Sequence, residues 1–487
     1  MKILIASPEA VPYAKTGGLA DVAGSLIKEY RKMKKEAYLI LPLYRRVKKS
    51  DISLKDTNLK IKIPVGDRQV EGRIFNHPPS TYLISCDEFF DREELYGTPL
   101  GDFSDNASRF IFFSRGVLET CRKLNFKPDV IHCNDWQTSL IPIYLKRLYK
   151  GDNFFRNTAT LLTIHNLGYQ GLFPASELPL TGLGWDIFNP EGIEFYGKIN
   201  FLKAGLMFSD ILTTVSVSYA KEILSKDFGF GLEGVLMKRE KDLYGVLNGI
   251  DYDEWDPSRD TYIPKNFSSD NIQGKAECKK NLVKEMSLDT TGRPLFGMVG
   301  RLSAQKGIKL LLQSLERLIS SGINIVVLGK GDEEFQVRLL EAGKNYKGRV
   351  YVYIGFEEYL AHKIYAGSDF FLIPSKYEPC GLGQLISMRY GSIPVGRSTG
   401  GLADTIQDFD PLTSKGTGFL FFDYTPYALH DAVKRALCVY TDKGKLRKLK
   451  LNAMKMDFSW RKSAERYIEL YKLAIKKIKN NPSERIS

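Results

Sequence analysis

T-G-G-L-A-D stands at residues 16–21 and again at residues 399–404, in opposite halves of this 487-residue chain. Each copy follows an apolar, strand-like run and begins a pattern typical of a helix. A glycine pair at such a turn lets backbone N–H groups approach an anion, which the partial positive charge of a helix N-terminus also attracts. The same glycines could instead serve only close packing of helix on sheet. Lys15 just before the first copy and Arg397 just before the second favour two anion-facing loops.

Around the two copies, short apolar runs alternate with longer stretches of helical periodicity, a pattern typical of βαβ units and a mostly parallel sheet. The first set of predicted strands lies at residues 3–6, 38–41, 81–85, 130–132, 159–164 and 211–215. The second set lies at residues 295–299, 323–328, 350–354, 370–373 and 393–395. We therefore predict two Rossmann-like, doubly wound α/β domains that face each other across a deep interdomain cleft, with ligands at the carboxyl ends of the strands.

The chain is too long for one ordinary core, so we place an N-terminal domain at residues 1–248 and a C-terminal domain at residues 249–459. The segment 248–257 contains Asn-Gly, Asp and Pro and predicts a hinge for domain closure. Residues 460–479 carry apolar side chains at helical spacing and predict an amphipathic helix that completes the first domain.

The composition is that of a soluble globular protein, with 43% hydrophobic and 26% charged residues. We expect no membrane span, because no apolar run is long enough, and the first residues predict a core strand rather than a secretory signal. The six cysteines lack metal-ligand spacing, which argues against a zinc site and a disulfide framework and favours a cytoplasmic protein.

The formal net charge is +13, which raises the possibility of nucleic acid, an anionic membrane or small phosphorylated ligands as partners. Lys and Arg are interspersed with Asp and Glu over most of the chain, and no nucleic-acid recognition motif is present. We therefore expect no nucleic-acid partner and no membrane partner, and the oligomeric state stays open.

Seven motifs, in order along almost the whole chain, resemble the bacterial glycogen synthases and plant starch synthases. They are K-T-G-G-L-A-D at residues 15–21, N-D-W-Q at 134–137, T-I-H-N at 163–166, L-N-G-I-D at 247–251, G-R-L-S-A-Q-K-G at 300–307, E-P-C-G-L at 378–382 and S-T-G-G-L-A-D at 398–404. The resemblance implies the GT-B fold and retaining transfer of glucose from ADP-glucose to the non-reducing end of an α-1,4-glucan. It implies a nucleotide-sugar donor and an α-glucan acceptor as partners, and neither a metal nor an organic cofactor.

Four residues are the candidate catalytic groups. When a diphosphate departs from a sugar, negative charge develops on the phosphate and positive charge on the sugar ring, so the site needs cations. Arg301 and Lys306 supply them from one strand-to-helix loop. Glu378 follows a predicted strand, where it could bind glucose hydroxyls or simply stabilise a helix N-terminus. His165 ends another strand and alone is as easily structural as catalytic, but the resemblance implies that it lies against the donor glucose.

The resemblance also implies the remaining contacts. On the donor side these are Lys15, Gly17, Gly18, Asp21, Asn248, Gly355, Phe356, Cys380, Gly381, Leu382, Gly383, Thr399, Gly400 and Gly401. On the acceptor and glucose side they are Asp135, Trp136 and Asn166. No pair of carboxylates suited to a retaining hydrolase is evident, so we expect same-face attack without a covalent nucleophile.

Four positions depart from the family pattern. Asn134 stands where His is usual, Gly383 where Thr is usual, Val217 where Pro is usual and Phe356 where Tyr is usual. Gly383 lacks a hydroxyl for the diphosphate, and Phe356 keeps a ring that can stack on a base. These departures leave open a UDP-glucose-dependent glucan synthase and a non-catalytic glucan-binding paralogue.

Overall fold

The computed structural model describes residues 1–98 and 101–480, which divide into two α/β units. Unit 1 comprises Met1–Val215, Ala220–Val246 and the chain from Trp460 onward. Unit 2 comprises Ser216–Tyr219 and Leu247–Ser459. The chain thus leaves unit 1, forms nearly all of unit 2 and returns to unit 1 at its end.

Up to Val246 the strands are β1 (Lys2–Ala6), β2 (Glu36–Pro42), β3 (Lys55–Val65), β4 (Arg68–His77), β5 (Thr81–Ser85), β6 (Gly97–Thr98), β7 (Gly101–Asp102), β8 (Val130–Asn134), β9 (Ala159–Ile164), β10 (Leu172–Pro174), β11 (Glu194–Phe195), β12 (Lys198–Asn200), β13 (Ile211–Thr214) and β14 (Leu243–Gly245). The helices there are α1 (Gly18–Lys32), α2 (Arg45–Lys48), α3 (Asp87–Phe90), α4 (Asn106–Lys123), α5 (Leu140–Arg147), α6 (Phe201–Phe208), α7 (Val217–Glu222), α8 (Lys226–Gly229) and α9 (Glu233–Lys238).

From Leu247 onward the elements are α10 (Gly274–Glu285), β15 (Leu295–Val299), α11 (Ile308–Ser320), β16 (Asn324–Gly329), α12 (Glu333–Asn345), β17 (Val350–Ile354), α13 (Glu358–Gly367), β18 (Phe370–Ile373), α14 (Gly383–Arg389), β19 (Ile393–Arg397), α15 (Gly400–Thr405), β20 (Phe419–Phe421), α16 (Pro426–Thr441), α17 (Lys443–Met454) and α18 (Trp460–Asn480).

Unit 2 is built on a six-stranded sheet of order β17-β16-β15-β18-β19-β20, in which every neighbouring pair is parallel. Numbered from β15, this is the doubly wound order 3-2-1-4-5-6. The order reverses between β15 and β18, and the loops after these two strands therefore border the crevice in which such folds bind ligands. The predicted doubly wound α/β fold is confirmed here.

Unit 1 follows the same rule around a nine-stranded sheet of order β14-β13-β9-β8-β1-β2-β5-β4-β3. The strands from β14 to β5 are parallel, whereas β4 runs antiparallel to both β5 and β3. The strand order reverses between β1 and β8, so the loops after β1 and β8 border the corresponding crevice of this unit. The first T-G-G-L-A-D copy stands in the loop after β1 and at the start of α1.

The helix α11 illustrates why the pattern between strands folds as it does. Its buried apolar residues include Ile308, Leu311, Leu315 and Leu318, which recur every three or four positions and so form one stripe along the helix. Strands on either side are buried on both faces, as parallel sheets covered by helices require. Within residues 1–98 and 101–480, no helix combines the length and the apolar character needed to cross a bilayer.

The helix α18 belongs to unit 1, against which it buries Tyr467 and Tyr471. The Tyr471 hydroxyl lies 2.9 Å from the hydroxyl of Tyr30 on α1 and 2.8 Å from Nδ1 of His132 on β8. Burial lowers the pKa of His132 to about 3, so this imidazole is neutral and can take part in the network without a charge.

Candidate active site

The centre of the candidate site in unit 2 is an ion pair at the strand-order reversal. Lys306 lies in the loop after β15 and Glu378 in the loop after β18, and the Lys306 Nζ is 2.8 Å from Glu378 Oε1 and 2.7 Å from Oε2. Ser375 Oγ donates to Oε2 at 2.9 Å. The sequence predicted both charged residues in separate motifs, and the fold brings them into contact.

The two partners of this pair differ in burial. The Glu378 side chain is 5% exposed, whereas 31% of the Lys306 side chain is exposed. A lysine ammonium has three N–H donors. Lys306 can therefore neutralise a buried carboxylate and still donate a hydrogen bond to an incoming anion. Arg301, in the same loop, has an exposed side chain and a guanidinium that suits two phosphate oxygens.

Gly307 allows the loop that carries Lys306 to pack closely against the loop that carries Glu378, and a residue with a Cβ would not fit there. Gly307 precedes α11 with a φ of +76°, and a Cβ placed there would lie 1.9 Å from the carbonyl oxygen of Pro374. Next to it, the Lys376 amide donates to the Gln305 carbonyl at 2.8 Å. The loop that carries Lys306 is therefore seated directly on the loop that carries Glu378.

The second T-G-G-L-A-D copy supports Glu378 from the other side. A Cβ on Gly400 would lie 2.1 Å from the Glu378 carbonyl oxygen, and one on Gly401 would lie 2.0 Å from that of Cys380. The Gly401 amide donates to the Glu378 carbonyl at 3.0 Å. Here the glycine pair serves close backbone packing, which was the alternative to an anion-facing loop.

The E-P-C-G-L segment and the start of α14 form a tight turn. Gln384 Nε2 donates to the carbonyls of Cys380 and Gly381, each at 2.9 Å, and Gly381 has a φ of +75°. Burial raises the pKa of the Cys380 thiol to about 12, so it is a structural thiol rather than a nucleophile. Leu382 precedes α14 and Gly383 is its first residue.

Three further predicted donor contacts are not part of the ion pair. Gly355 and Phe356 follow β17, two strands away from β15 at the same sheet edge, and the Phe356 side chain is 72% exposed. Asn248 is buried, and its side-chain oxygen has no hydrogen-bond partner within residues 1–98 and 101–480. An exposed ring and an unsatisfied acceptor are both groups to which a ligand can add contacts.

In unit 1, the first T-G-G-L-A-D copy is held differently from the second. Lys15 Nζ pairs with Asp21 Oδ1 at 2.7 Å, and Gly17 precedes α1, which Gly18 begins. Burial raises the pKa of Asp21, and the Lys15 charge opposes that rise. The loop thus carries a cation that is half exposed and already has an acidic partner.

A buried carboxylate anchors this loop, and the sequence analysis missed it. Glu9 is 4% exposed and accepts hydrogen bonds from the Thr16 amide, from Thr16 Oγ1 at 2.6 Å and from Tyr96 Oη at 2.7 Å. A signal was available, since Glu9 follows a buried strand by three residues and a buried carboxyl group needs hydrogen-bond partners.

The loops after β8 and β9 bring Asp135, His165 and Asn166 together. Asp135 has a φ of +54°, and its Oδ1 accepts the His165 amide at 2.7 Å. Burial raises the pKa of Asp135 to about 7, although the amides of His165 and Asn166 favour the ionised form. This carboxyl therefore changes charge near neutral pH.

The ring of His165 is oriented by Asn134. Asn134 Nδ2 donates to the Ala6 carbonyl at 3.0 Å, so its Oδ1 faces His165 Nε2 at 2.9 Å. An amide oxygen only accepts, which makes Nε2 the protonated nitrogen and leaves the Nδ1 lone pair for another donor. Burial lowers the pKa of His165 to about 3, so the ring is neutral.

Trp136 is a core residue of unit 1. Its side chain is 8% exposed, and its ring lies 4.8 Å from that of Phe110 and 5.8 Å from that of Phe173. A Cβ on Gly171 would also lie within 2.5 Å of the indole. The indole thus supports the Asp135 loop from below, with little surface left for a ligand.

Comparisons with known proteins show what the chain is similar to. A family model described as "Starch synthase catalytic domain" matches residues 2–238, and one described as "Glycosyl transferases group 1" matches residues 281–456. The chain is 45% identical to the glycogen synthase of Thermodesulfovibrio yellowstonii, with 97% of each chain covered. It is 44% identical to that of Syntrophotalea carbinolica, with 98% of this chain and 99% of that protein covered.

A solved structure covers nearly the same length. The catalytic domain of starch synthase IV from Arabidopsis thaliana, bound to ADP and acarbose, is similar with a TM-score of 0.90 and 33% identity, covering 98% of this chain and 99% of that chain. Sucrose-phosphate synthase from Thermosynechococcus elongatus shares the fold at a TM-score of 0.61 and 16% identity, covering 98% of this chain and 99% of that chain.

Proposed function

The chain belongs to the family of bacterial glycogen synthases and plant starch synthases, and we infer that it transfers glucose from ADP-glucose to the non-reducing end of an α-1,4-glucan, releasing ADP. The observation that carries this inference is the contact between Lys306 and Glu378 at the strand-order reversal of unit 2. In this contact, a cation suited to bind phosphate lies next to a carboxylate suited to bind sugar hydroxyls.

We assign the donor to unit 2. Arg301 and Lys306 neutralise the charge that develops on the departing ADP, and Glu378 accepts hydrogen bonds from glucose hydroxyls while favouring a cationic sugar ring. Gly355 and Phe356 are assigned to the nucleotide, the amides of residues 380–383 to the phosphates, and Thr399, Gly400 and Gly401 to the wall beside the sugar. Asn248 offers its unsatisfied side-chain oxygen to the same ligand.

We assign the acceptor glucan to unit 1. His165 is neutral, so its Nδ1 lone pair can accept a hydrogen bond from a glucose hydroxyl. Asp135 and Asn166 stand beside it as further hydrogen-bonding groups. Lys15, Gly17, Gly18 and Asp21 offer a cation and backbone amides to which an anionic ligand can bind.

The reaction proceeds with retention and without a covalent glucosyl-enzyme. The acceptor hydroxyl attacks the anomeric carbon on the face from which ADP leaves, and its proton passes to the departing phosphate. The cations that this step needs are protein side chains, so we propose no metal or organic cofactor. We place the enzyme in the cytoplasm, where the six free cysteines remain reduced.

Transfer of labelled glucose from ADP-glucose to glycogen tests the proposal. Lys306→Gln and Glu378→Gln should each lower kcat by about 10²–10³-fold, because each removes a charge that acts on the transition state. Lys309→Gln is the matched control, since Lys309 is an exposed lysine in the first turn of α11 and should leave kcat unchanged. No transfer from any nucleotide sugar, combined with tight glucan binding, would identify a non-catalytic glucan-binding paralogue instead.

The choice of nucleotide needs its own measurement. Phe356 can stack on either base, and Gly383 offers the diphosphate an amide without a hydroxyl. We propose ADP-glucose, which should give the higher kcat/KM when ADP-glucose and UDP-glucose are compared side by side. A preference for UDP-glucose would reassign the donor without changing the roles of Lys306 and Glu378.

A further inference from the structure

Three potential metal ligands meet on the surface of unit 2, outside the residues assigned to the transfer reaction. A carboxylate oxygen of Glu254, one of Glu358 and a ring nitrogen of His362 all lie within 4.8 Å of one another. Glu358 begins α13 and His362 follows one turn later, so both side chains lie on the same face of that helix. Glu254 reaches the pair from the segment that precedes Trp255.

The imidazole is fixed by its other nitrogen. His362 Nδ1 lies 2.7 Å from Asp260 Oδ2, which also accepts from Tyr390 Oη at 2.6 Å. A carboxylate only accepts hydrogen bonds, so Nδ1 carries a proton, and Nε2 is the nitrogen that can present its lone pair to a metal ion. The ring of Trp255 stacks on the imidazole at 4.1 Å with an interplanar angle of 13°, which holds the ring plane.

That lone pair is buried and unused. His362 is 1% exposed, and its Nε2 has no hydrogen-bond partner within residues 1–98 and 101–480. Leaving a buried acceptor unsatisfied costs free energy, and such a group in a folded protein commonly marks the position of a ligand. A histidine whose far nitrogen donates to a carboxylate is the arrangement that proteins use to orient an imidazole toward a metal.

We propose that Glu254, Glu358 and His362 bind a divalent transition-metal ion, for which zinc is the best match. One neutral imidazole and two carboxylates form the ligand set of an open zinc site, whose fourth position takes water. Mg²⁺ and Ca²⁺ prefer oxygen ligands alone, so the histidine selects against them.

Zinc binding would draw the three ligand atoms, which lie within 4.8 Å of one another, closer together. Zinc bonds of about 2.0–2.2 Å in a tetrahedral site place neighbouring ligand atoms roughly 3.4 Å apart. The histidine is fixed, but both glutamates are exposed and can rotate toward it. The ion would offset the repulsion between two adjacent carboxylates and would fasten the segment around Glu254 to α13. It takes no part in glucose transfer.

Titration of the full-length protein with ZnCl₂ after chelator treatment, followed by calorimetry, tests the site. We expect saturable binding of one ion, weakened at least about tenfold by Glu254→Gln or Glu358→Gln. Glu333→Gln is the matched control, because Glu333 is likewise the exposed first residue of a helix, α12, and should leave the affinity unchanged. Equal affinity in all four proteins, or no saturable binding, overturns the proposal.

An optical measurement separates this site from adventitious binding at other exposed groups such as Cys438. Co²⁺ bound at His362 should quench the fluorescence of Trp255, which is stacked on that ring. Trp255→Phe should remove most of the quenching while leaving the calorimetric affinity within about twofold, since the ligands are intact. Quenching that persists in the Glu254→Gln, Glu358→Gln double variant would place the ion elsewhere and refute the assignment.

Discussion

Asn134 shows how one side chain sets the chemistry of another. Sequence reasoning identified it only as a departure from the family pattern, whereas its Oδ1 in fact accepts from His165 Nε2 at 2.9 Å. The Ala6 carbonyl fixes the orientation of the amide, and the amide fixes the tautomer of the ring. The departure therefore preserves a neutral histidine with a free Nδ1 lone pair.

Replacing Asn134 tests this dependence. Asn134→Ala should lower kcat by about tenfold, because His165 loses the acceptor that selects its tautomer. In ¹⁵N-NMR spectra, the ring nitrogens of His165 should show Nε2–H in the parent protein and a mixture of tautomers in the variant. Asn134→Asp keeps an acceptor and should retain the Nε2–H tautomer; the same mixture in that variant would contradict the assignment.

Asp135 gives a prediction for pH. The pKa of this carboxyl is about 7 in the folded protein, whereas the ordinary value for an aspartate is 3.8. The folded state therefore binds the proton more tightly than the unfolded state does. The wild-type protein therefore loses stability through this group as pH rises from about 4 to about 7. Asp135→Asn lacks this loss, so its free energy of unfolding relative to wild type should rise over that interval and level off above it. Chemical denaturation at several pH values measures the difference, and a constant difference would refute the buried, protonated state.

At the residue scale, sequence reasoning found groups that belong to motifs and missed those that serve them. Lys306 and Glu378 were recognisable because each stands in a patterned loop. Glu9 and Ser375 were not, since their importance depends on contacts 7 and 3 positions away that only the folded loops create. The ionisation state of Asp135 likewise follows from burial, which a sequence does not state.

At the scale of elements, the two T-G-G-L-A-D copies show that the same six residues make different contacts at their two positions. Asp21 pairs with Lys15 in the first copy, whereas Asp404 in the second accepts from the amide and hydroxyl of Ser218 at 2.9 and 2.6 Å. The strand and helix around each copy were predictable from periodicity. The partner of Asp404 was not, because Ser218 lies 186 positions away along the chain.

The predicted strands match the parallel strands of both sheets except β14 and β20, which were missed. The hairpin of β3 and β4 was missed, although Gly66-Asp67 joins two segments that pair from Val65 to Arg68 outward. A glycine with a φ of +60° at a two-residue turn is a known hairpin signal. The runs beside it carry many charged residues, which hid their alternation.

The turn before α11 can be tested as an element. Gly307→Ala should destabilise unit 2 by about 3 kcal/mol or more, because strain from a positive φ adds to a collision with the Pro374 carbonyl. Gly348→Ala is the control, since Gly348 has a φ of +79° with nothing within 4 Å of the added Cβ, and should cost only about 1–2 kcal/mol. Thermal unfolding measures both, and equal losses would argue against close packing of the two loops.

At the scale of the whole molecule, α18 ties the end of the chain into unit 1. Tyr471→Phe removes the hydroxyl between Tyr30 and His132 and should cost about 1–2 kcal/mol, lowering the unfolding temperature of unit 1. In Tyr144→Phe, the control, the lost hydroxyl is buried with no partner among residues 1–98 and 101–480, so its removal should be neutral. Differential scanning calorimetry should show a lower unfolding temperature in Tyr471→Phe alone. Equal effects of the two substitutions would contradict a stabilising role for the Tyr471 hydrogen bonds.

The return of the chain to unit 1 also orders events on the ribosome. Unit 2 is complete once Ser459 has been made, but unit 1 lacks α18 until residues 460–480 have followed. At roughly 5–20 residues per second, the intervening stretch of about 200 residues takes some 10–40 s to translate. During that interval Tyr30 and His132 lack their contacts with Tyr471 of α18. The unit that is synthesised first is therefore the last to complete its fold.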